Sequence, residues 1–222
     1  MQNDKQPCGS PLRVQQNSKL LLATTNPGKI LEYKEIFKEL NLKIELLSLK
    51  EAGISQKIEE TGQTFEENAR KKALFYLKLT GLPTLAEDSG LEIDYLNGEP
   101  GVKSRRWPGH KASDAELISM TLEKLRGVPL KKRGAQLRVI IALLIDKTVK
   151  TFEGILRGVI IKEPIEKIIP GYPFRSLFYV PEVDKVLGEL TMEEEARIAH
   201  RKKALEKAIP ILKSKFKMQK SK

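Results

Sequence analysis

Two adjacent carboxylates lie within the stretch Ala86-Glu87-Asp88-Ser89-Gly90-Leu91-Glu92-Ile93-Asp94, which follows an apolar run that begins at Leu82. Apolar and acidic residues alternate after Gly90, so the pattern predicts one strand before a Ser-Gly turn and a second strand after it. Glu87 and Asp88 then lie at the end of a strand, where acidic side chains need a cation. Carboxylate oxygens are ligands that Mg²⁺ prefers. Taken alone, the pair is also typical of a solvated acidic turn.

The composition is that of a globular protein with one large domain or two lobes. The chain has 222 residues, of which 40% are hydrophobic and 31% are charged. No apolar run approaches the roughly 20 residues that span a bilayer, and the first twenty residues lack the apolar segment of a secretory signal. Cys8 is the single cysteine, which excludes an intramolecular disulfide and fits a reducing compartment. We therefore expect a cytoplasmic protein with no membrane partner.

The net charge of +11 is concentrated at the C-terminus, where residues 201–222 contain nine Lys or Arg and one acid, Glu206. Such a tail can contact a polyanion, or it can form a solvated helix face with a frayed end. No aromatic-interleaved basic motif accompanies it, so we do not expect nucleic acid as a partner. We divide the chain into a disordered leader at 1–18, one folded domain at 19–213 and a basic tail at 214–222.

The first candidate for an anion site is the loop Thr24-Thr25-Asn26-Pro27-Gly28-Lys29. It follows a buried strand at 19–23, and apolar residues at three- and four-residue spacing predict a helix from there to about residue 40. Asn26 is a favoured N-cap and Pro27 a favoured first helical residue. This leaves the amides of Gly28 and Lys29 free at the positive end of the helix. The loop predicts a phosphate site, although an ordinary strand-to-helix connection has the same pattern.

A second group of polar residues surrounds the start of the next helix. Thr64 and Glu67 form a capping-box pattern, which predicts a helix from there to about Thr80. Lys72 lies on this helix beside its apolar stripe. Glu60 precedes the helix in a loop from which it can reach a metal ion. Each of these residues alone is also typical of a solvated surface.

The other helices and strands that the sequence predicts have a structural role. Capping patterns predict helices that begin after Ser113 and after Thr191. Continuous apolar runs predict long strands over 135–145 and 148–161. A final helix from residue 202 is expected to kink or end at Pro210, since proline cannot donate the helical hydrogen bond.

Several motifs in unbroken order resemble the inosine triphosphate pyrophosphatase family. These enzymes hydrolyse ITP, dITP and XTP to the monophosphate and pyrophosphate. The similarity extends from about residue 19 to residue 212 and is carried by the loop at 24–29, by Glu60-Thr61-Gly62-Gln63-Thr64-Phe65-Glu66-Glu67-Asn68-Ala69, by Glu87-Asp88-Ser89-Gly90-Leu91, by Leu96-Asn97-Gly98-Glu99-Pro100-Gly101-Val102 and by Ser104-Arg105-Arg106-Trp107.

The resemblance implies an α/β fold with a mixed central β-sheet and two lobes that flank a nucleotide-binding cleft. It makes residues 19–213 a pyrophosphatase domain that uses Mg²⁺, binds a purine nucleoside triphosphate and forms a homodimer. Asp88 would be the base for the attacking water, and Glu60 and Asp88 would bind the metal, with Glu87 close by. The implied substrate-binding residues are Thr24, Thr25, Asn26, Pro27, Gly28, Lys29, Lys72, Ser89, Tyr172, Phe174, Lys185, His200 and Arg201.

One loop departs from the pattern of that family. Tyr172 and Phe174 keep the two aromatic residues that could stack on a base. Pro173, Arg175 and Ser176 replace the family's glycine, aspartate and proline. If Arg175 contacts the edge of the nucleobase, the exchange of an acidic side chain for a basic one changes which purines fit. The pair His200-Arg201 would favour keto purines over adenine.

Two alternatives stay open at this point. The first is a pyrophosphatase with altered base specificity, including the related Maf-type enzymes, against which the pair His200-Arg201 argues. The second is a catalytically weak protein that binds nucleotides or nucleic acid, which Arg175 and the basic tail would suit. The presence of Glu60, Asp88 and Lys29 favours an active enzyme.

Overall fold

The computed structural model describes residues 19–216, so the predicted leader and the last six residues of the predicted tail lie outside the described part. A seven-stranded mixed sheet forms the centre, in the order β2-β1-β3-β4-β5-β6-β7. Strands β2, β1 and β3 are parallel, and each later neighbour is antiparallel. The strands are β1 Lys19–Leu22, β2 Glu45–Ser48, β3 Thr84–Ile93, β4 Gly134–Ile145, β5 Thr148–Ile160, β6 Phe178–Val180 and β7 Lys185–Val186. The predicted α/β class with a mixed sheet is confirmed.

Within residues 19–216, five α-helices surround this sheet: α1 Pro27–Glu39, α2 Phe65–Thr80, α3 Asp114–Lys124, α4 Met192–Ile198 and α5 His200–Lys215. The predicted N-caps of the first four are confirmed, because the side chains of Asn26, Thr64, Ser113 and Thr191 each accept a hydrogen bond from a first-turn amide. Of the two outcomes expected at Pro210, an end of the last helix is excluded, whereas a kink there stays a prediction. Helix α5 continues through Pro210, since Ala208 and Leu212 on either side are buried in the core. None of the helices within residues 19–216 has the length and apolar character that crossing a membrane requires.

The predicted turn at Ser89-Gly90 was also wrong. Residues 84–93 form one uninterrupted strand, and each of its ten residues pairs with β4. A glycine is required at position 90 because a Cβ there would lie 2.5 Å from the Gly101 carbonyl oxygen and 2.6 Å from the Ser104 hydroxyl. Gly90 therefore marks a close approach of a neighbouring segment and not a change of chain direction.

The two lobes meet on one face of β3. Leu85 belongs to an apolar cluster under α1 and α5, whereas Leu91 belongs to a second cluster under α3 and the turn Pro173–Ser176. Glu87 and Ser89 lie between them on the same face, because successive side chains of a strand alternate. The interval between the two clusters is therefore polar. The opposite face packs against α2 through a third cluster that includes Ala86.

Replacement of Gly90 by alanine should destabilise the fold by about 1–3 kcal/mol, because the added methyl group meets a backbone carbonyl that cannot rotate away. The free energy of unfolding in urea measures this effect. Gly134→Ala is the matched control on β4, since its new Cβ would meet only the movable end of the Asp94 side chain and one Arg157 nitrogen. Equal stabilities of the two variants would contradict the steric explanation.

Candidate active site

An open stretch of β3 holds the polar side chains together. Strand β1 pairs with β3 only at Thr84 and Leu85, after which β1 gives way to the loop that begins α1. Residues 87–89 of β3 thus lie beyond the carboxyl end of their parallel neighbour. In open α/β sheets, ligands bind at such a position. Because the side chains alternate, Glu87 and Ser89 lie on one side of the strand and Asp88 on the other.

Asn26 organises the loop at residues 24–29, which the sequence predicts to bind phosphate and which is called the phosphate loop from here on. Asn26 Oδ1 accepts hydrogen bonds from the amides of Gly28 at 2.9 Å and Lys29 at 3.4 Å. The prediction that these amides are free was therefore wrong, because the N-cap side chain already satisfies them. Thr24 Oγ1 in turn accepts a hydrogen bond from the Asn26 amide at 3.2 Å. The positive helix end and the Lys29 ammonium remain the cationic features of this loop, in which Thr25 and Pro27 are exposed.

Glu87 is a buried structural anchor. Arg201 donates to both of its carboxylate oxygens, from Nε at 2.7 Å and from Nη2 at 3.1 Å, and Tyr33 donates to it at 2.8 Å. The Lys29 ammonium lies 2.5 Å from Glu87 Oε1. Burial raises the pKa of Glu87, but the Arg201 and Lys29 charges outweigh burial and hold that pKa well below its usual range. Glu87 thus stays ionised and fixes Lys29 of the phosphate loop and Arg201 of α5.

Sequence reasoning missed Glu32, which completes this group. Its carboxylate accepts two bonds from Arg201 Nη1, at 3.1 and 3.2 Å, and lies 3.2 Å from Arg175 Nη2. Glu32 is only 3% exposed on the inner face of α1. It lies one turn before Ile36 on the side that the apolar pattern predicts as buried. An acid at such a position signals a buried cationic partner.

Asp88 is oriented on the other side of β3. Asn68 Nδ2 donates to its Oδ2 at 2.8 Å, and the Ser89 amide donates to its Oδ1 at 3.0 Å. Lys72 Nζ lies 3.9 Å from that Oδ1 and also pairs with Glu60. Burial raises the pKa of Asp88 more than the Lys72 charge lowers it. A carboxylate whose pKa is raised accepts a proton more readily at neutral pH.

Glu60 and Asp88 are suited to share a divalent cation, since both already share the ammonium of Lys72. Mg²⁺ usually takes one or two carboxylates and completes its shell with water and substrate phosphates. The donor set therefore fits Mg²⁺ bound together with a substrate. A metal site made of protein ligands alone is not found in the described residues, since residues 19–216 contain no group of three or more His, Cys, Asp or Glu that could hold a metal.

The opposite end of the cleft is closed by Tyr172. A Cβ on Gly28 would lie 2.3 Å from the Tyr172 ring, so the ring rests directly on the phosphate loop. The Arg175 guanidinium stacks on the ring at 4.0 Å from its centroid. His200 is buried next to Arg201, and burial first, then the Arg201 charge, keep its pKa well below the usual value. His200 is therefore neutral.

The structure gathers most of the predicted substrate-binding residues around one cleft. The predicted residues that line it are Asn26, Lys29, Ser89, Tyr172, Phe174, Arg175, His200 and Arg201. Glu195 lines the same cleft and was not predicted. Glu60, Lys72 and Asp88 form the adjacent group described above. Lys185 lies outside both groups, because it is exposed on β7 and pairs with Glu194 at 2.9 Å.

Replacement of Glu87 by glutamine should destabilise the protein by about 3–5 kcal/mol at pH 7, because it removes a charge from a buried ion pair. The folded-state pKa of Glu87 lies below the ordinary 4.5, so its contribution is present above pH 4.5 and is lost as the pH falls through the folded value. Urea unfolding at pH 7 and at decreasing pH measures the free energy of unfolding of the wild type and of Glu87→Gln. The difference between these two free energies should become smaller in acid.

The control is Glu45→Gln, which breaks the exposed pair of Glu45 with Lys19. Exposed pairs contribute about 0–1 kcal/mol. Equal losses in the two variants at pH 7 would contradict the anchoring role of Glu87.

Known proteins are similar to this chain in sequence and in fold. The model of the Ham1 family matches residues 20–211. The chain is 40% identical to the dITP/XTP pyrophosphatase of Bacillus subtilis (strain 168), over 86% of this chain and 96% of that protein. It is 42% identical to the dITP/XTP pyrophosphatase of Desulforamulus reducens, over 87% of this chain and 95% of that protein. A HAM1 protein structure from Coxiella burnetii superposes with a TM-score of 0.75 at 38% identity, covering 88% of this chain and 98% of that chain. The family resemblance seen in the sequence is confirmed, and the chain belongs to the Ham1 family.

Proposed function

We propose that this protein hydrolyses deaminated purine nucleoside triphosphates, ITP, dITP and XTP, to the monophosphate and pyrophosphate, with Mg²⁺ as cofactor. The observation that carries the proposal is the convergence at one edge of β3 of a cationic phosphate loop with Lys29 and an oriented carboxylate, Asp88. The names of the relatives, dITP/XTP pyrophosphatases, support the substrate class.

The triphosphate binds between the start of α1 and Lys72. Lys29 is fixed by Glu87 at 2.5 Å and lies 3.3 Å from the Ser89 hydroxyl, so its ammonium is held at the cleft wall before substrate arrives. Charge neutralisation and positioning supply most of the catalysis in phosphoryl transfer. A preorganised cation of this kind stabilises negative charge on the phosphate oxygens without further reorganisation.

Asp88 accepts the proton of the attacking water. Asn68 and the Ser89 amide hold the two carboxylate oxygens in place, and each oxygen keeps a lone pair for that proton. Water then attacks the α-phosphorus, the bond to the bridging oxygen of the β-phosphate breaks, and pyrophosphate leaves as one unit. Mg²⁺, which Glu60 and Asp88 would hold, supplies charge neutralisation on the phosphates and acidifies water.

The net charge of the site supports a requirement for a divalent cation. In the linked ion pairs around Glu87 and Asp88, four cationic side chains face five carboxylates, and Arg105, a further cation that lines the cleft, is paired with Asp114. The protein alone therefore does not neutralise a triphosphate. The cations are Lys29, Lys72, Arg175 and Arg201, and the carboxylates are Glu32, Glu60, Glu87, Asp88 and Glu195. A homodimer and a cytoplasmic location, implied by the resemblance and by the single cysteine, complete the proposal.

Replacement of Asp88 by asparagine should lower kcat about 10²- to 10⁴-fold, because an amide cannot accept the proton of water. Pyrophosphate release from ITP measures the rate, and circular dichroism with thermal unfolding checks the fold. Asp146→Asn, at the exposed β4–β5 turn, is the matched control and should keep the wild-type rate. A folded D88N enzyme with a rate near wild type would refute the role of Asp88.

A nucleotide panel tests the substrate class. We expect pyrophosphate from ITP, dITP and XTP with Mg²⁺, and loss of that activity in EDTA. ATP and dTTP should react much more slowly, since neither presents a keto purine. Equal rates on ATP and ITP, or undiminished turnover in EDTA, would contradict the proposal.

A further inference from the structure

The side chain of Asn68 joins the loop that carries Glu60 to the strand that carries Asp88. This loop, residues 54–62, has no regular secondary structure and is called the Glu60 loop below. Asn68 is 1% exposed, its Oδ1 accepts a hydrogen bond from the Gly62 amide at 2.7 Å, and its Nδ2 donates to Asp88 Oδ2 at 2.8 Å. A backbone amide only donates and an ionised carboxylate only accepts, so these two partners fix the orientation of the Asn68 amide group. Asparagine is a poor residue for the body of a helix, which indicates that it serves these contacts and not helix formation.

Gly62 allows the Glu60 loop to approach α2 this closely. A Cβ at position 62 would lie 2.7 Å from Asn68 Oδ1, 2.8 Å from Glu67 Cβ and 3.1 Å from the Asn68 amide nitrogen. A larger residue would therefore push the loop and the helix apart. The contact thus depends on one residue of the loop and one of the helix.

A second contact holds the same loop from the opposite side. Arg106 Nη2 donates to the Glu60 carbonyl oxygen at 2.6 Å. Arg106 is the last residue of a short 3₁₀ helix, Gly101–Arg106, which is tied to β3 because the Ser104 hydroxyl accepts a hydrogen bond from the Leu91 amide at 3.3 Å. The Glu60 loop is therefore held both by α2 and by a segment that lies against β3.

Building on the proposed function, which supplies the requirement for Mg²⁺, we propose that Asn68 and Arg106 are positioning residues for the cation site. They hold the Glu60 loop against β3, so that the carboxylates of Glu60 and Asp88 face one and the same ion. Each acts through a ligand: Arg106 holds the backbone of Glu60, and Asn68 ties the loop to Asp88. Loss of a partner that orients a metal ligand typically weakens metal binding about 10- to 100-fold.

The test measures cation binding without turnover. Calorimetry follows Mg²⁺ added to the full chain bound to the α,β-methylene analogue of ITP, in which the bond to be cleaved is replaced. Arg106→Met and Gly62→Ala should each weaken Mg²⁺ binding about 10- to 100-fold. Binding of the analogue in EDTA should stay at the wild-type value, which a general loss of folding would not allow.

Arg126→Met is the matched control for Arg106→Met. Arg126 is an exposed arginine just after α3 and pairs with Glu123. This variant should bind Mg²⁺ and the analogue as the wild type does. Weaker Mg²⁺ binding in Arg126→Met, equal to that in Arg106→Met, would overturn the specific role of Arg106.

Two further measurements separate positioning from a merely structural role. In Arg106→Met, the Mg²⁺ concentration that gives half-maximal ITP hydrolysis should rise by the factor found in calorimetry, while kcat at saturating Mg²⁺ returns to near wild type. A structural defect would lower kcat at every Mg²⁺ concentration. In Asn68→Leu, the Gly62 amide should lose its protection from hydrogen exchange together with the Mg²⁺ affinity; if this variant does not fold, Gly62→Ala tests the same contact from the loop.

Unchanged Mg²⁺ affinity in both Arg106→Met and Gly62→Ala overturns the inference. Weaker binding of the analogue in EDTA, with Mg²⁺ affinity unchanged, also overturns it, because Arg106 would then act on the nucleotide directly. If the variants weaken Mg²⁺ binding but the wild type does not hydrolyse ITP, the proposed function fails and the inference stands. If the wild type hydrolyses ITP and the variants keep its Mg²⁺ affinity, the reverse holds.

Discussion

The burial of Arg201 between Glu87 and Glu32 is the interaction on which the rest of the site depends. Removal of charges from water costs several kcal/mol for each ion, and good geometry with further hydrogen bonds must offset that cost. Here the pairing is bidentate toward Glu87, and Lys29 and Tyr33 satisfy the remaining oxygen positions. The same contacts join α1, β3 and α5, so the phosphate loop at the start of α1 is fixed relative to the start of α5.

Local rules predicted the scaffold well because its signals are local. Caps at Asn26, Thr64, Ser113 and Thr191 and the apolar strands fix most element starts within a residue or two. One error arose where a long-range contact overrides a local preference: Gly90 was assigned to a turn, but a segment that packs against the strand requires a glycine there. A second error was local. The amides of Gly28 and Lys29 were expected to be free, although the side chain of the predicted N-cap Asn26 accepts hydrogen bonds from both.

The site itself was predicted in part, mainly through resemblance. Spacing along the chain could not show that Glu87 and Asp88 face opposite sides of one strand, since the turn prediction hid the alternation. Nor could it pair Glu32 with Arg201 or Glu195 with Arg175, because these partners come from different elements. The replacement of an acid by Arg175 was visible in the sequence. Its two carboxylate partners, which make the replacement tolerable, required the structure.

The central claim is that the phosphate loop and Asp88 direct water to the α-phosphorus of a bound nucleoside triphosphate. The most direct measurement is ³¹P NMR of the products of ITP hydrolysis in water enriched in ¹⁸O. The account predicts pyrophosphate as the phosphorus product released, with the heavy oxygen in the monophosphate. Heavy oxygen in pyrophosphate, or release of orthophosphate with a nucleoside diphosphate, would contradict it.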